Sequence, residues 1–136
     1  MQNILIDSGP LIALFDATDR YHMASVNFIK QNKARLISSL ASITETLHLL
    51  GFSRCAQADF LTWINAGAVN IETIANEDLV NIKNMMVKYS DLPMDFADAC
   101  LIHLGDKLNI DCIATIDRDF DIYRRKNKQP FTTLVK

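Results

Sequence analysis

Asp7, Glu45, Asp98 and Asp117 are spread over most of a 136-residue chain, yet each sits where a parallel α/β arrangement would bring a side chain to one rim. Asp7 directly follows the apolar run NILI (3–6), and Asp117 directly follows the β-branched run CIATI (112–116). Glu45 comes a few residues after RLISS (35–39), near the start of a helical pattern. Asp98 falls in the first turn or two of the helix expected within DLPMDFADACLIHLGDKL (91–108). In open parallel sheets, ligands bind outside the carboxyl ends of the strands, where strand-to-helix loops converge. Four carboxylates gathered there cannot all stay charged and unpartnered. Two like charges about 4 Å apart repel by roughly 4 kcal/mol at an effective dielectric near 20. Several such pairs rival the ~5–15 kcal/mol that holds a domain together, whereas a helix N-terminus offsets only ~0.3–1 kcal/mol per carboxylate. Protons or a cation must make up the difference. All-oxygen ligation suits a hard ion, Mg²⁺ or Mn²⁺, that keeps positions open for water and phosphate oxygens.

Plainer roles compete at each position. Asp7 can cap the helix after the first strand, Asp117 can be a turn aspartate, and Glu45 can lie on a solvated face. Asp95, two residues after Pro93 and three before Asp98, is placed as a helix cap. Asp98 is flanked by the small residues Ala97 and Ala99 ahead of apolar Leu101 and Ile102, which permits close approach of backbone or ligand. Ser8, Thr44 and Thr115 are hydroxyls beside these carboxylates, suited to orienting ligands or water, or to ordinary capping. Other chemistries fit worse. His22, His48 and His103 share no HxH or HExxH spacing, and no GxGxxG, Walker A or GxSxG sequence is present. A phosphoacceptor receiver expects an acidic pair after its first strand and a lysine after its last, but here the first strand ends in one Asp and Lys136 is the final residue.

The elements that must position these residues alternate. Strands are expected at 3–6, 35–39, 68–74, 112–116 and 131–135. Between them the spacing predicts helices starting near Pro10, over 19–32 with Met23, Val26, Phe28 and Ile29 inward, from 42 with Gly51 as terminator, and over 54–66. Further helices are expected over 76–89 capped by Asn76, and after Pro93, with a short helix or turn at 117–126. Short strands separated by helices specify βαβ units, hence a three-layer α/β/α domain with a mostly parallel central sheet, residues 1–136 forming one domain.

Composition narrows the class. With 49% apolar residues and no apolar run near the ~20 needed to span a bilayer, the chain is expected to be globular and cytoplasmic, without a secretory signal. Cys55, Cys100 and Cys112 form no CxxC pair and are expected to be buried small apolar residues. A net charge of -2 gives no global basic footprint. Arg118, Arg124, Arg125, Lys126 and Lys128 nevertheless fall within eleven residues, as a basic rim or a solvated face.

In order and spacing, LIDSGPLIALFD (5–16), SITETLHLL (42–50), LPMDFADACLIHLGDKL (92–108) and IATIDRDF (113–120) resemble the motifs of PIN-domain ribonucleases, in particular the VapC-type toxins of prokaryotic toxin–antitoxin pairs. The similarity runs from about residue 3 to residue 124. It implies a Mg²⁺ or Mn²⁺ site from Asp7, Glu45 and Asp98, with Asp117 as fourth acidic residue and Asp119 competing for that place. Asp95 matches an acidic position found in part of the family. The implied activity is hydrolysis of RNA phosphodiester bonds by an activated water. The implied partners are RNA, a second copy in a homodimer, and a small antitoxin whose C-terminal segment blocks the acidic groove. A catalytically silent scaffold that binds RNA or a peptide is the alternative.

Overall fold

Side chains on successive strand residues point to opposite faces of a sheet, so a strand buried on both sides must be apolar throughout. From Ile4 onward the central strand β1 (Asn3–Ile6) meets that condition: Ile4 and Ile6 enter one core and Leu5 the other. The computed structural model, which describes residues 1–92 and 94–135, places β1 in the middle of a five-stranded sheet. Its order is β3-β2-β1-β4-β5, with β2 at Arg35–Ser39, β3 at Val69–Glu72, β4 at Cys112–Thr115 and β5 at Thr132–Val135. Every pairing between these strands is parallel.

Helices cover both faces. One core packs α1 (Ser8–Leu14), α2 (His22–Gln31), α3 (Leu40–Leu49) and α4 (Arg54–Asn65) around Leu11, Phe28, Ile43, Leu50 and Phe60. On the other face, α5 (Leu79–Lys88) and α6 (Phe96–Leu108) pack Ile82, Leu101, Ile102 and Leu104 against Leu5, Ile37 and Ile113. This is the three-layer α/β/α architecture expected from the alternation of segments. No helix among the described residues is long and apolar enough to cross a membrane.

Several local expectations need correction. The helix expected over 19–32 begins at His22, because Asp16 and Asp19 accept from Thr18 and Tyr21 N–H groups and hold the preceding residues in turns. Met23 faces solvent, and Ser25 and Phe28 are the buried residues of that helix. Asn76 does not cap a helix: Asn76–Asp78 form a 3-10 turn, and the Asp78 carboxylate accepts from Ala75 N–H at 2.8 Å. α3 starts at Leu40 because Ser39 is its cap. The strand expected over 68–74 keeps only Val69–Glu72, which pair with residues 36–39. Cys100 is buried, but Cys55 is exposed and Cys112 half-buried; Cys55 lies off the 56, 60, 63 and 64 stripe that α4 turns inward. The expected stop at Pro93 lies outside the described residues.

Candidate active site

The strand order reverses direction between β1 and β4, and such a switch point leaves a crevice at the strands' carboxyl ends. Ile6 pairs with Ala114, and Asp7 N–H donates to Ala114 O at 3.0 Å, so Asp7 and the Thr115–Asp117 segment leave the sheet side by side. Asp7 caps α1, its Oδ1 accepting from Ser8 N–H at 2.8 Å. Thr115 holds both sides of the crevice: its hydroxyl donates to Asp7 Oδ2 at 3.1 Å and accepts from Asp117 N–H at 3.0 Å. Asp117 in turn caps the 3-10 turn Arg118–Asp121 by accepting from Asp119 N–H at 2.9 Å.

α6 arrives from across the sheet with its N-terminus toward this crevice. Asp95 is its cap, accepting from Asp98 N–H at 2.9 Å, and this fixes Asp98 in the first turn. One carboxylate oxygen each from Asp7, Asp98 and Asp117 lie within 4.8 Å of one another, and no other trio of His, Cys, Asp and Glu does so among the described residues. Glu45, in the second turn of α3, stands beside this trio rather than inside it and accepts a hydrogen bond from the Ser8 hydroxyl. Asp119 stays outside the trio. Thr44 takes no part: its hydroxyl donates to Leu40 O, one turn back on its own helix.

Burial and crowding set the protonation of the pocket. Asp7 is 5% exposed and Asp98 8%. Burial pushes Asp7 up to about 7, against the opposing hydrogen bonds from Ser8 and Thr115 and with help from the charges of Glu45 and Asp117. Asp98 is pushed up to about 8, first by burial and then by Asp7, Asp95, Asp117 and Glu45. The pocket therefore holds protons at neutral pH that a divalent cation would displace. Tyr123 was not apparent from the sequence as part of this environment. It is fully buried, its hydroxyl has no hydrogen-bond partner among the described residues, and burial together with Asp98, Asp119, Asp117 and Asp95 raises its pKa. A tyrosine six residues after Asp117 in a polar stretch was the available signal.

Two of the histidines make structural contacts. His22 Nδ1 lies 2.6 Å from Ala13 O, and His103 Nε2 lies 2.9 Å from Asp78 Oδ1 on the outer side of α6. Cys100 is no nucleophile, since burial and then the Asp95 charge push its thiol up to about 11.

The family model for the PIN domain matches residues 4–126. Ribonuclease VapC26 of Mycobacterium tuberculosis (strain ATCC 25618 / H37Rv) is 26% identical over 117 residues, covering 85% of this chain and 87% of the relative. Among solved structures, the sarcin-ricin-loop-cleaving toxin VapC20 of M. tuberculosis superposes with a TM-score of 0.77 at 20% identity, covering 88% of this chain and 93% of that one. A toxin–antitoxin complex from Klebsiella pneumoniae gives 0.63 at 17% identity, over 85% and 87% of the two chains. VapBC2 of Rickettsia felis, bound to a DNA fragment from its promoter, gives 0.62 at 8% identity, over 97% of each chain. At these identities the structural likeness establishes the fold.

Proposed function

Because this chain belongs to the PIN-domain family, we propose that its acidic crevice is the catalytic centre of a Mg²⁺- or Mn²⁺-dependent endoribonuclease. The observation that carries this reading is the convergence of Asp7, Asp98 and Asp117, from three separate elements, within 4.8 Å. The donor set fits such an ion. It is all oxygen, and three carboxylate oxygens within 4.8 Å of one another need only a small inward side-chain adjustment to share one cation with ~2.1 Å bonds. Asp7, Asp98 and Asp117 would hold the ion, with Glu45 as the fourth acidic residue of the site. When bound, it supplies Lewis acidity toward the scissile phosphate and lowers the pKa of water.

The chain's own groups do the positioning. Ser8 N–H and the Thr115 hydroxyl hold the two oxygens of Asp7, and Thr115 also fixes the backbone that carries Asp117. Ser8 engages Glu45 Oε1, leaving Oε2 to accept a proton from an attacking water. With water as nucleophile, the ribose 2′-hydroxyl need not take part.

The reading extends to a toxin of a toxin–antitoxin pair, acting in the cytoplasm, with residues 1–136 as one catalytic domain. The likeness to VapC26 and to the fold of two toxin–antitoxin assemblies supports it. A homodimer is part of the same reading, supported by the exposed apolar side chains Leu40, Leu79, Val87 and Phe96 on the α3, α5 and α6 side. The purified protein is expected to cleave a structured RNA in Mg²⁺ or Mn²⁺, and to lose that activity with EDTA or on Asp98→Asn. Full activity in Asp98→Asn would end the proposal, and absence of Mn²⁺ uptake by calorimetry would leave a silent scaffold in its place.

A further inference from the structure

The acidic crevice poses a problem for any polyanionic substrate. Four carboxylates converge there, and the whole chain carries a net charge of -2, so neither the site nor the overall charge attracts RNA. Affinity must come from a local concentration of cations. One is present on the outer side of α5 and α6, where a cavity of about 520 Å³ is lined by Lys88, Lys107, Arg124, Arg125, Lys126 and Lys128. These are six of the chain's 14 basic residues.

The two carboxylates in the lining are already engaged. Asp78 accepts from Ala75 N–H, contacts His103 Nε2 at 2.9 Å and lies 3.8 Å from Lys107 Nζ. Asp106 accepts from the Lys126 backbone N–H at 2.9 Å. Among the described residues, none of the other five cations forms a salt bridge. Arg124 uses Nη1 on the carbonyls of Asp121, Ile122 and Tyr123. Arg125 donates from Nη2 to Asn109, while its Nε is buried with no hydrogen-bond partner among the described residues. A buried, unpartnered guanidinium donor beside Lys88, Lys126 and Lys128, which form no salt bridge among the described residues, is an arrangement that an anion completes.

The cavity and the crevice share α6. α6 carries Asp98 at one end and His103 and Lys107 further along, a rise of about 7.5 Å and about 13.5 Å along the helix axis at 1.5 Å per residue. Tyr123, which feels the carboxylates of the site, packs edge-on against Tyr89 at 5.1 Å, and the Tyr89 hydroxyl accepts from Arg124 N–H at 3.1 Å. Against about 3.4 Å of helix axis per nucleotide in a B-DNA strand, those rises along α6 are the length of a few nucleotides.

We propose that the basic cavity between α5, α6 and the 124–128 loop binds the RNA phosphate backbone a few nucleotides from the scissile bond, supplying the affinity that the acidic crevice lacks. The inference rests on the ribonuclease reading above and adds where the substrate is held. RNA is favoured over an acidic protein segment because the cavity lies along the helix that delivers Asp98, so a strand seated in it is already directed at the crevice.

Lys88→Ala/Lys126→Ala removes two exposed cations, one from α5 and one from the loop, and Lys30→Ala/Lys33→Ala removes the same charge elsewhere. Binding of a fluorescein-labelled single-stranded RNA of about 16 nucleotides is measured in EDTA against salt, so that no cleavage is required. The cavity variant is expected to lose affinity at least tenfold at low salt and to flatten the slope of log K against log salt by about 1.4, at ~0.7 per lost contact. The control variant is expected to keep the wild-type slope. In Mg²⁺ the cavity variant should raise KM with little change in kcat. Equal slopes for the two variants would overturn the inference even if the wild type cleaves RNA. Loss of slope in the cavity variant alone would sustain the binding site even if the wild type proved inactive. Binding of polyglutamate as tightly as RNA, with the same dependence on Lys88 and Lys126, would also overturn it by assigning the cavity to an acidic peptide.

Discussion

Replacing Asp98 by Asn removes one ionisable group from the crowded crevice and keeps nearly the same shape. In the unfolded chain this carboxyl titrates near 3.8, whereas in the metal-free folded protein it titrates near 8. The folded protein therefore keeps a proton that the unfolded chain releases, and stability falls as pH rises from about 4 to about 8, by at most ~1.4 kcal/mol per pH unit. Below 3.8 the effect vanishes, and above about 8 it levels off. At pH 7 the upper limit is about 3.2 pH units, or ~4 kcal/mol. Protonation of Asp7 relieves part of the same repulsion, and the mouth of the crevice admits water that screens the rest, so the expected gain on substitution is ~1–3 kcal/mol. Urea unfolding followed by circular dichroism in EDTA should show Asp98→Asn more stable than wild type, with the gap widening from pH 5 to pH 8. Adding Mg²⁺ should reverse the order, since a ligand at 100 times its Kd adds ~2.7 kcal/mol to the protein that binds it. A gap that is absent, or that narrows as pH rises, would refute the assignment of Asp98 to a crowded anionic pocket.

Because Asp7 and Asp98 titrate near 7 and 8 without metal, cleavage at limiting Mg²⁺ should rise with pH between about 6 and 8, up to tenfold per unit for each proton displaced, and saturating Mg²⁺ should flatten the profile. Asp95→Asn keeps a capping side chain while removing a charge that raises Asp98; metal-free stability should rise at pH 8, whereas Asp95→Ala should cost ~1 kcal/mol through loss of the cap, both read by urea unfolding. Thr115→Val removes the hydroxyl shared by Asp7 and Asp117, and isothermal calorimetry should show Mn²⁺ affinity reduced ~10–100-fold. Gly9→Ala would bring a Cβ to 2.6 Å from Ile116 Cγ1, next to Asp117, so thermal unfolding should show a loss of ~1–3 kcal/mol with weaker Mn²⁺ uptake.

Much of the fold follows from local pattern. β1 and β2 occupy the expected residues because their apolar runs are bounded by Asp7 and by the Ser39 cap. The gathering of Asp7, Asp98 and Asp117 was readable for a related reason, since Asp7 and Asp117 directly follow expected strands and Asp98 falls in the first turn of a helix. Asp117 was the expected fourth acidic residue with Asp119 as its competitor, and Asp117, whose carboxylate accepts from Asp119 N–H, is the one that joins the trio. Glu45 was placed to its helix but not to its distance, which depends on Ser8 and on the crossing of α1 and α3. The basic cavity was half legible. Arg124, Arg125, Lys126 and Lys128 stand together in sequence, but Lys88 and Lys107 join them only because α5 and α6 pack side by side against the 124–128 loop.

Three of the acidic residues around the crevice, Asp7, Asp95 and Asp117, also begin the helical turns that follow them. Alanine at any of them removes a folding signal together with a charge, whereas asparagine removes the charge and keeps a capping oxygen. A gene copy drifting from catalysis toward pure binding thus has a narrow exit, one base change from an aspartate codon to an asparagine codon. Descendants that have fallen silent but still fold should carry Asn at positions 7 and 117 far more often than any aliphatic residue.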